Sequence, residues 1–248
     1  MSALLIVGCA SGIGKAIALH LAKRFDVLVL ADIDVEGAAR VGEEIAAASP
    51  ACRCEALHVD IRCGDSVAAL FAELEARGIG LAAAANNAGV LGQRSPLVDS
   101  DPVQWRDTLE LNVVGTYLLV KHEIAAMRNN GGGRILNTAS EFGARGAVNV
   151  SAYVASKHAV IGMTRAAALE VAQSGILINA ICPGAINAGI TRKFVDEVDG
   201  FLERTTQEIP MRRLGHADEV ASAAAWLLGP DNSYMTGQSI FIDGGNTA

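Results

Sequence analysis

Apolar positions in this chain come in short, nearly continuous runs separated by stretches of helical spacing. Residues 3–7 form the first run. Gly8, Gly12 and Gly14 follow at once, and then Ile17, Ala18, Leu21 and Ala22 return at intervals of one, three and one. The pattern predicts a strand, a glycine turn and a helix. The alternation continues with strands expected over 27–31, 53–59 and 81–85, and helices over 34–48 and 65–75. Asp101 can cap and Pro102 suits a first turn, so a long helix is expected from there through Trp105, Leu109, Val113 and Tyr117 to about Met127. Asn129, Asn130 and Gly131 to Gly133 end it. The pattern then predicts a strand over 134–138, a helix over 152–172, a strand over 176–181, a helix over 218–227 and a last strand over 239–242.

Strands that alternate with helices of this length pair in parallel through crossover connections. Near-continuous apolar strands mean that neither face of the sheet meets water. The expectation is one α/β domain over 1–248: a doubly wound sheet of seven parallel strands flanked by helices on both faces. Residues 184–215 break the rhythm, with charges, Arg204, Arg212 and Arg213, and no clear strand. A connection of this length is expected to be a partly helical substrate lid within the domain.

Composition narrows the chemistry. The 248 residues are 51% hydrophobic but only 4% aromatic, and 26 are glycine, which favours close backbone approaches over disorder. Twenty basic against 27 acidic residues give a formal charge of -7, so no positive field favours nucleic acid or an anionic membrane. No apolar run approaches a bilayer span, and the N-terminal run is stopped by glycine, so neither a membrane anchor nor a signal peptide is expected. The five dispersed cysteines, Cys9, Cys52, Cys54, Cys63 and Cys182, fit a reducing cytoplasm. Cys52, Cys54 and His58 lack a fourth ligand nearby, and no metal is expected.

The glycine turn, G-x-x-x-G-x-G, lets backbone amides approach a pyrophosphate at the start of a helix, although its spacing departs from G-x-G-x-x-G. Ser11 and Ile13 lie within it. Asp32 ends the second strand, where a carboxylate either accepts ribose hydroxyls or caps the next helix. In the first role it would oppose a 2'-phosphate, with neither Ile33 nor Ser11 to offset the repulsion, which favours NAD over NADP. Asp60 and Ile61 follow the third strand, with Asp60 a candidate for the adenine amine. Asn87, Ala88 and Gly89 follow the fourth strand, Asn87 serving the ligand, the sheet or both. All stand at carboxyl ends of strands, where open parallel sheets bind ligands.

Tyr153 and Lys157, four apart on a helix, point to one face. A tyrosine pKa near ~10 must fall by about three units, roughly 4 kcal/mol, for the phenolate to serve near neutral pH. A nearby ammonium and ribose hydroxyls are expected to favour it. Ser140, ending the fifth strand, can orient a substrate oxygen, and Asn112 can anchor a water that passes a proton toward Lys157. By itself Y-x-x-x-K fits packing as well as catalysis.

Together these segments carry more. Gly8-Cys9-Ala10-Ser11-Gly12-Ile13-Gly14, Asn86-Asn87-Ala88-Gly89, Asn112, Ser140, Tyr153-Val154-Ala155-Ser156-Lys157, Pro183-Gly184 and Asp243-Gly244-Gly245 stand in one order over nearly the whole chain. The chain resembles the short-chain dehydrogenase/reductase family, of the common NAD(P)-dependent single-domain type. That resemblance implies a Rossmann-like domain and places Asn112, Ser140, Tyr153 and Lys157 at catalytic positions, with Tyr153 the acid in reduction and the base in oxidation. It also implies that Lys157 holds the nicotinamide ribose, that Pro183, Gly184 and Ile186 border the nicotinamide, and that the subunits form a homotetramer, although self-complementary helix faces alone fit a dimer as well. The family usually has a threonine where Ala188 stands; Asn187 or Thr191 is the expected substitute. Ser140, Glu141, Phe142, Asn149 and Tyr153 are the expected substrate-facing residues, with Val90, Gln93 and Phe194 nearby.

The expected activity is NAD-dependent interconversion of a secondary alcohol and a ketone. The segment 138–146 resembles dehydrogenases of small cyclic or hydrophobic alcohols. The alternatives are a 3-oxoacyl thioester reductase, which residues 214–245 resemble, and a non-catalytic NAD-binding regulator. Apolar residues on several faces of the long helices, among them Val113, Leu118, Val160 and Met163, point to subunit contact.

Overall fold

The computed structural model describes residues 2–248. Its strands are β1 (Ala3–Val7), β2 (Val27–Asp32), β3 (Arg53–His58), β4 (Leu81–Asn86), β5 (Gly133–Thr138), β6 (Ile176–Pro183) and β7 (Ser239–Ile242). The helices are α1 (Gly12–Leu21), α2 (Val35–Ala48), α3 (Gly64–Ala76), α4 (Pro102–Leu109), α5 (Thr116–Asn129), α6 (Ser151–Val171), α7 (Gly189–Glu197), α8 (Phe201–Glu208) and α9 (Ala217–Leu227). The strands form one parallel sheet in the order β3-β2-β1-β4-β5-β6-β7. The expected doubly wound sheet is present, and the order reverses between β1 and β4, where such sheets open a crevice for ligands.

Both faces are covered, which is why the strands are apolar on both sides. One face packs Leu4, Ile6 and Leu30 against Ile17 and Leu21 of α1 and Val220 and Ala224 of α9. The other packs Leu5, Val29 and Ile135 against Leu70 of α3, Leu119 and Met127 of α5 and Val171 of α6. Val160 belongs to the chain's own core and Leu118 packs against it, so those two apolar positions do not face outward as the sequence suggested. Tyr117 and Leu169 do, at 48% and 81% exposure.

The long helix expected from Asp101 to Met127 is interrupted. Between α4 and α5 lies a π turn, Glu110–Gly115, that carries Asn112. Such turns insert an extra residue into the helical register and frequently mark functional sites. Here Asn112 meets the backbone of Val90 from both sides: its Nδ2 donates to the Val90 carbonyl (2.8 Å) and its Oδ1 accepts the Val90 amide (2.9 Å). Nδ2 also donates to Ser156 Oγ (3.0 Å). The side chain expected to anchor a water is thus already committed as a cross-link between the π turn, the β4 exit loop and α6.

Beneath that loop runs a buried polar line. Asn86 Nδ2 donates to Glu123 Oε2 (3.1 Å) and to Asn137 Oδ1 (3.0 Å), and Asn137 Nδ2 donates to Thr164 Oγ1 (2.9 Å). Glu123 Oε1 and Asn86 Oδ1 are buried without a partner. Burial pushes the Glu123 carboxyl up to about 8, with only the Asn86 hydrogen bond opposing it. The neutral acid is therefore favoured at neutral pH, and its proton makes one of the two orphaned oxygens a donor.

Candidate active site

The site is built at the carboxyl ends of β1, β2, β4, β5 and β6, around a cleft of about 360 Å³. Gly8 and Gly12 adopt left-handed backbone at φ 77° and 60°. At Gly14 a Cβ would collide with the Gly8 carbonyl, so the turn closes only without a side chain. Ser11, the N-cap of α1, makes no side-chain capping bond, and the first turn of the helix carries no acid. Its amides and dipole are thereby available to an anion. Gly8, Ser11, Gly12, Ile13 and Gly14 all line the cleft. A cradle whose walls a Cβ would fill, at a helix N-terminus, fits a dinucleotide pyrophosphate.

Asp32 also lines the cleft. Its Oδ2 accepts the Ala10 amide (2.8 Å) and its Oδ1 the Asp34 amide (3.0 Å). The cap of α2 is Asp34, whose carboxylate accepts the Gly37 amide (2.9 Å), so capping is not the role of Asp32. Asp60 and Ile61 form the next part of the wall. Arg62, which the sequence reading passed over, lines it too and grips Asp60 through Nε (3.0 Å) and Nη2 (2.9 Å). That bond holds the Asp60 carboxyl below its ordinary range.

Asn87, Ala88 and Gly89 line the centre of the cleft. Asn87 Oδ1 accepts Thr138 Oγ1 (2.8 Å) and its Nδ2 donates to the Ala85 carbonyl (3.2 Å), so it does tie the sheet together. Pro183, Gly184 and Ile186 face them from β6 and the segment beyond it. Ala188 is the N-cap residue of α7, and Thr191 on that helix lines the cleft, whereas Asn187 Oδ1 accepts from Arg192 Nη1 (3.4 Å). Of the two expected substitutes for the missing threonine, Thr191 is the one facing the cleft. The stretch expected to be partly helical contains α7 and α8, neither with a buried residue, and Arg94 from the β4–α4 connection lies 4.8 Å above the Phe194 ring.

Ser140, Tyr153 and Lys157 share this cleft. Ser140 follows β5; its Oγ accepts the Phe142 amide (3.2 Å), which leaves its own O–H free to donate. Helical spacing on α6 brings Lys157 Nζ to 5.5 Å from the Tyr153 ring centroid. Nζ donates to the Thr138 carbonyl (2.9 Å), a partner that no sequence motif announced.

In the chain by itself, burial sets the proton affinities of this pair. Burial pushes the Tyr153 phenol up to about 12, with a Ser140 hydrogen bond pulling it back and the Glu141 charge adding to the rise. Burial also pushes Lys157 down to about 8. Desolvation is the largest cause in both residues and disfavours both charged forms. Tyr153 is therefore a phenol at neutral pH.

The other expected substrate residues are placed differently. Glu141 is almost fully buried and bonded to Arg145 and Asn246 rather than lining the cleft. Phe142 packs against Tyr153, with ring centroids 6.3 Å apart. Asn149 takes left-handed backbone at φ 64°, and its carbonyl accepts the Ser95 amide (2.9 Å). Among the described residues no cluster of His, Cys, Asp or Glu suits a metal, and no helix is long and apolar enough to cross a membrane.

A family model described as enoyl-(acyl carrier protein) reductase matches residues 8–247. The chain is 38% identical over 250 residues to cyclohexanol dehydrogenase of Acinetobacter sp. (strain SE19), covering 98% of this chain and 94% of the relative. It is 35% identical over 246 residues to 2,5-dichloro-2,5-cyclohexadiene-1,4-diol dehydrogenase of Sphingobium indicum, covering 99% and 96%. A short-chain type dehydrogenase/reductase from Mycobacterium marinum superposes with a TM-score of 0.93 at 29% identity, over 100% of this chain and 96% of that one. The chain belongs to the short-chain dehydrogenase/reductase family. Like the family, it is an NAD(P)-dependent oxidoreductase of the alcohol and ketone class. The crevice at the sheet reversal holds the glycine cradle described above, whose shape and donors fit a dinucleotide.

Proposed function

We propose that this short-chain dehydrogenase/reductase uses NAD to interconvert a small ring-borne secondary alcohol and its ketone, with Tyr153 as acid and base. The observation that carries the reading is that Ser140, Tyr153 and Lys157 share one cleft with the glycine cradle and Asp32. The ring preference is supported by the cyclohexanol and cyclohexadienediol named for the two relatives. Preference for NAD is supported by Asp32, whose carboxylate lines the cleft and, at the adenosine ribose, would oppose a 2'-phosphate by like charge.

In this reading Gly8, Ser11, Gly12, Ile13 and Gly14 hold the pyrophosphate and Asp32 the adenosine ribose. Asp60, Ile61, Asn87, Ala88 and Gly89 line the path of the dinucleotide, and Pro183, Gly184 and Ile186 border the nicotinamide. NAD supplies the hydride acceptor when bound. Ser140 donates its hydroxyl hydrogen to the substrate oxygen and steadies charge there. Tyr153 takes the alcohol proton in oxidation and returns one in reduction. Lys157, anchored on Thr138, holds the ribose and keeps a positive charge near the phenol when protonated.

The same reading takes the enzyme as a cytoplasmic homotetramer. Five free cysteines and the exposed Tyr117 and Leu169 on α5 and α6 support it. The test is a panel of cyclic and linear secondary alcohols, hydroxy steroids, polyols, hydroxy acids and 3-hydroxyacyl thioesters with NAD and with NADP, ranked by kcat/KM. Cyclic alcohols with NAD are expected to lead. A clear lead for thioesters with NADP would move the chain to the 3-oxoacyl reductases. Tyr153→Phe is expected to lower turnover at least about a hundredfold while leaving NAD affinity intact; turnover near wild type would remove the acid/base assignment.

A further inference from the structure

Behind the reaction centre stands a charged group that the chemistry above does not use. Glu141 directly follows Ser140 in a short 3-10 turn, and its side chain is only 5% exposed. A carboxylate so buried is costly unless it is paired. Its Oε2 accepts from Arg145 Nη2 (3.0 Å), Arg145 Nε (3.3 Å) and, from the far end of the chain, Asn246 Nδ2 (2.6 Å).

The tethered guanidinium has a second engagement. Arg145 Cζ sits 4.8 Å from the centroid of Phe142, the stacking that a planar cation favours on an aromatic face. The Phe142 ring stands at 82° to Tyr153, and its backbone amide donates to Ser140 Oγ. One continuous set of contacts therefore joins the C-terminal Asn246 to both hydroxyl-bearing residues of the reaction centre.

We propose that Glu141, Arg145 and Asn246 are positioning residues for Tyr153: the carboxylate holds Arg145 over Phe142, and that ring fixes the angle at which the phenol meets Ser140 and the substrate oxygen. The proposal rests on the acid/base reading of Tyr153. Glu141 touches no reacting atom. It acts through the orientation of its neighbours and through the field of its charge, which opposes ionisation of the phenol.

Glu141→Gln keeps the shape and an acceptor for Asn246 but removes the charge. The expected result is a fall of about tenfold in kcat for oxidation with little change in alcohol KM, because a loosened reacting group costs turnover rather than binding. The pH at which oxidation reaches half its plateau should move down by about half a unit, since loss of a nearby negative charge eases phenol ionisation. A role in folding alone would leave that midpoint in place. Arg145→Lys keeps the charge but loses the planar stack, and should lower kcat without lowering the midpoint.

Wild-type kcat and midpoint in folded Glu141→Gln would overturn the proposal. So would a change in alcohol KM alone, which would mean that Glu141 contacts substrate. If Glu141→Gln does not fold, Asn246→Ala at the chain end replaces it, with a severalfold loss of kcat expected and none refuting the clamp. Tyr153→Phe separates the two levels: an active Tyr153→Phe removes the acid/base reading itself, whereas an inactive one beside a fully active Glu141→Gln removes only the clamp.

Discussion

Replacing Glu123 by glutamine isolates what a buried carboxyl does to stability across pH. Burial raises this group from 4.5 to about 8, so the folded chain keeps a proton that the unfolded chain releases. The associated stability is fully present below pH ~4.5 and is lost as pH rises toward 8, because each additional pH unit then favours the unfolded state by about 1.4 kcal/mol. At pH 7 the loss is about 3 kcal/mol, and between pH 5 and pH 8 it amounts to about 3–4 kcal/mol. Glutamine has no such proton to hold. Its amide retains an acceptor for Asn86 Nδ2 and brings a donor, while leaving one N–H to be satisfied in a dry site at about 1–3 kcal/mol. That offset is the same at every pH. Denaturant unfolding of both proteins at pH 5 and pH 8 should therefore show the variant gaining about 3–4 kcal/mol on wild type between the two conditions. An equal difference at both pH values would refute the reasoning and put an ionised carboxylate in the core.

Three further outcomes follow from the cleft. Asp32→Ala should relax discrimination against NADP by about tenfold or more in kcat/KM, since it removes the like charge facing a 2'-phosphate; unchanged cofactor ratios would exclude Asp32 as the discriminator. Gly14→Ala forces a Cβ onto the Gly8 carbonyl and should cost about 1–3 kcal/mol or more of stability together with most NAD affinity, read by thermal unfolding and by titration of NAD. Because burial raises Tyr153 and the base role in oxidation needs the phenolate, oxidation should climb with pH through the neutral and mildly alkaline range while reduction, which uses the phenol, stays level, as initial rates in both directions will show.

The pattern of apolar residues located every strand of the sheet to within one or two positions; the central strands β1, β2 and β4, buried on both faces, are written as nearly unbroken apolar runs, whereas the edge strand β3, with no buried residue, is mixed. The ends drifted where a polar residue still pairs in the ladder: Asp32 stays in register with His58, and Asn86 with Asn137. The π turn at Asn112 was not legible. It depends on the Val90 backbone, 22 residues earlier in the chain, meeting an asparagine that helical periodicity alone would leave in ordinary register. Glu141 looked like a substrate contact because it follows Ser140. Its partner Arg145 was visible four residues on, but Asn246 lies 105 residues away and no local spacing announces it. Burial of Tyr153 and Lys157 was not legible for a related reason: their proximity is a property of sequence spacing, whereas desolvation is a property of everything packed around the pair.

The β4–β5 junction shows how one pair of strand ends serves two unrelated demands. Asn86 and Asn137 stand opposite each other in register, and their side chains enter the buried line that includes Glu123 and Thr164. One residue further along each strand, Asn87 and Thr138 bond to each other, and the Thr138 carbonyl takes Lys157 Nζ. Successive residues of a strand face opposite sides of a sheet, so the first pair is turned to the packed interior and the second to the cleft. Stability and chemistry are thereby assigned to neighbouring positions with little shared contact. It follows that changing Glu123 should alter the pH dependence of unfolding while NAD affinity stays as it was. Changing Thr138, whose hydroxyl steadies Asn87 in the cleft, should do the reverse.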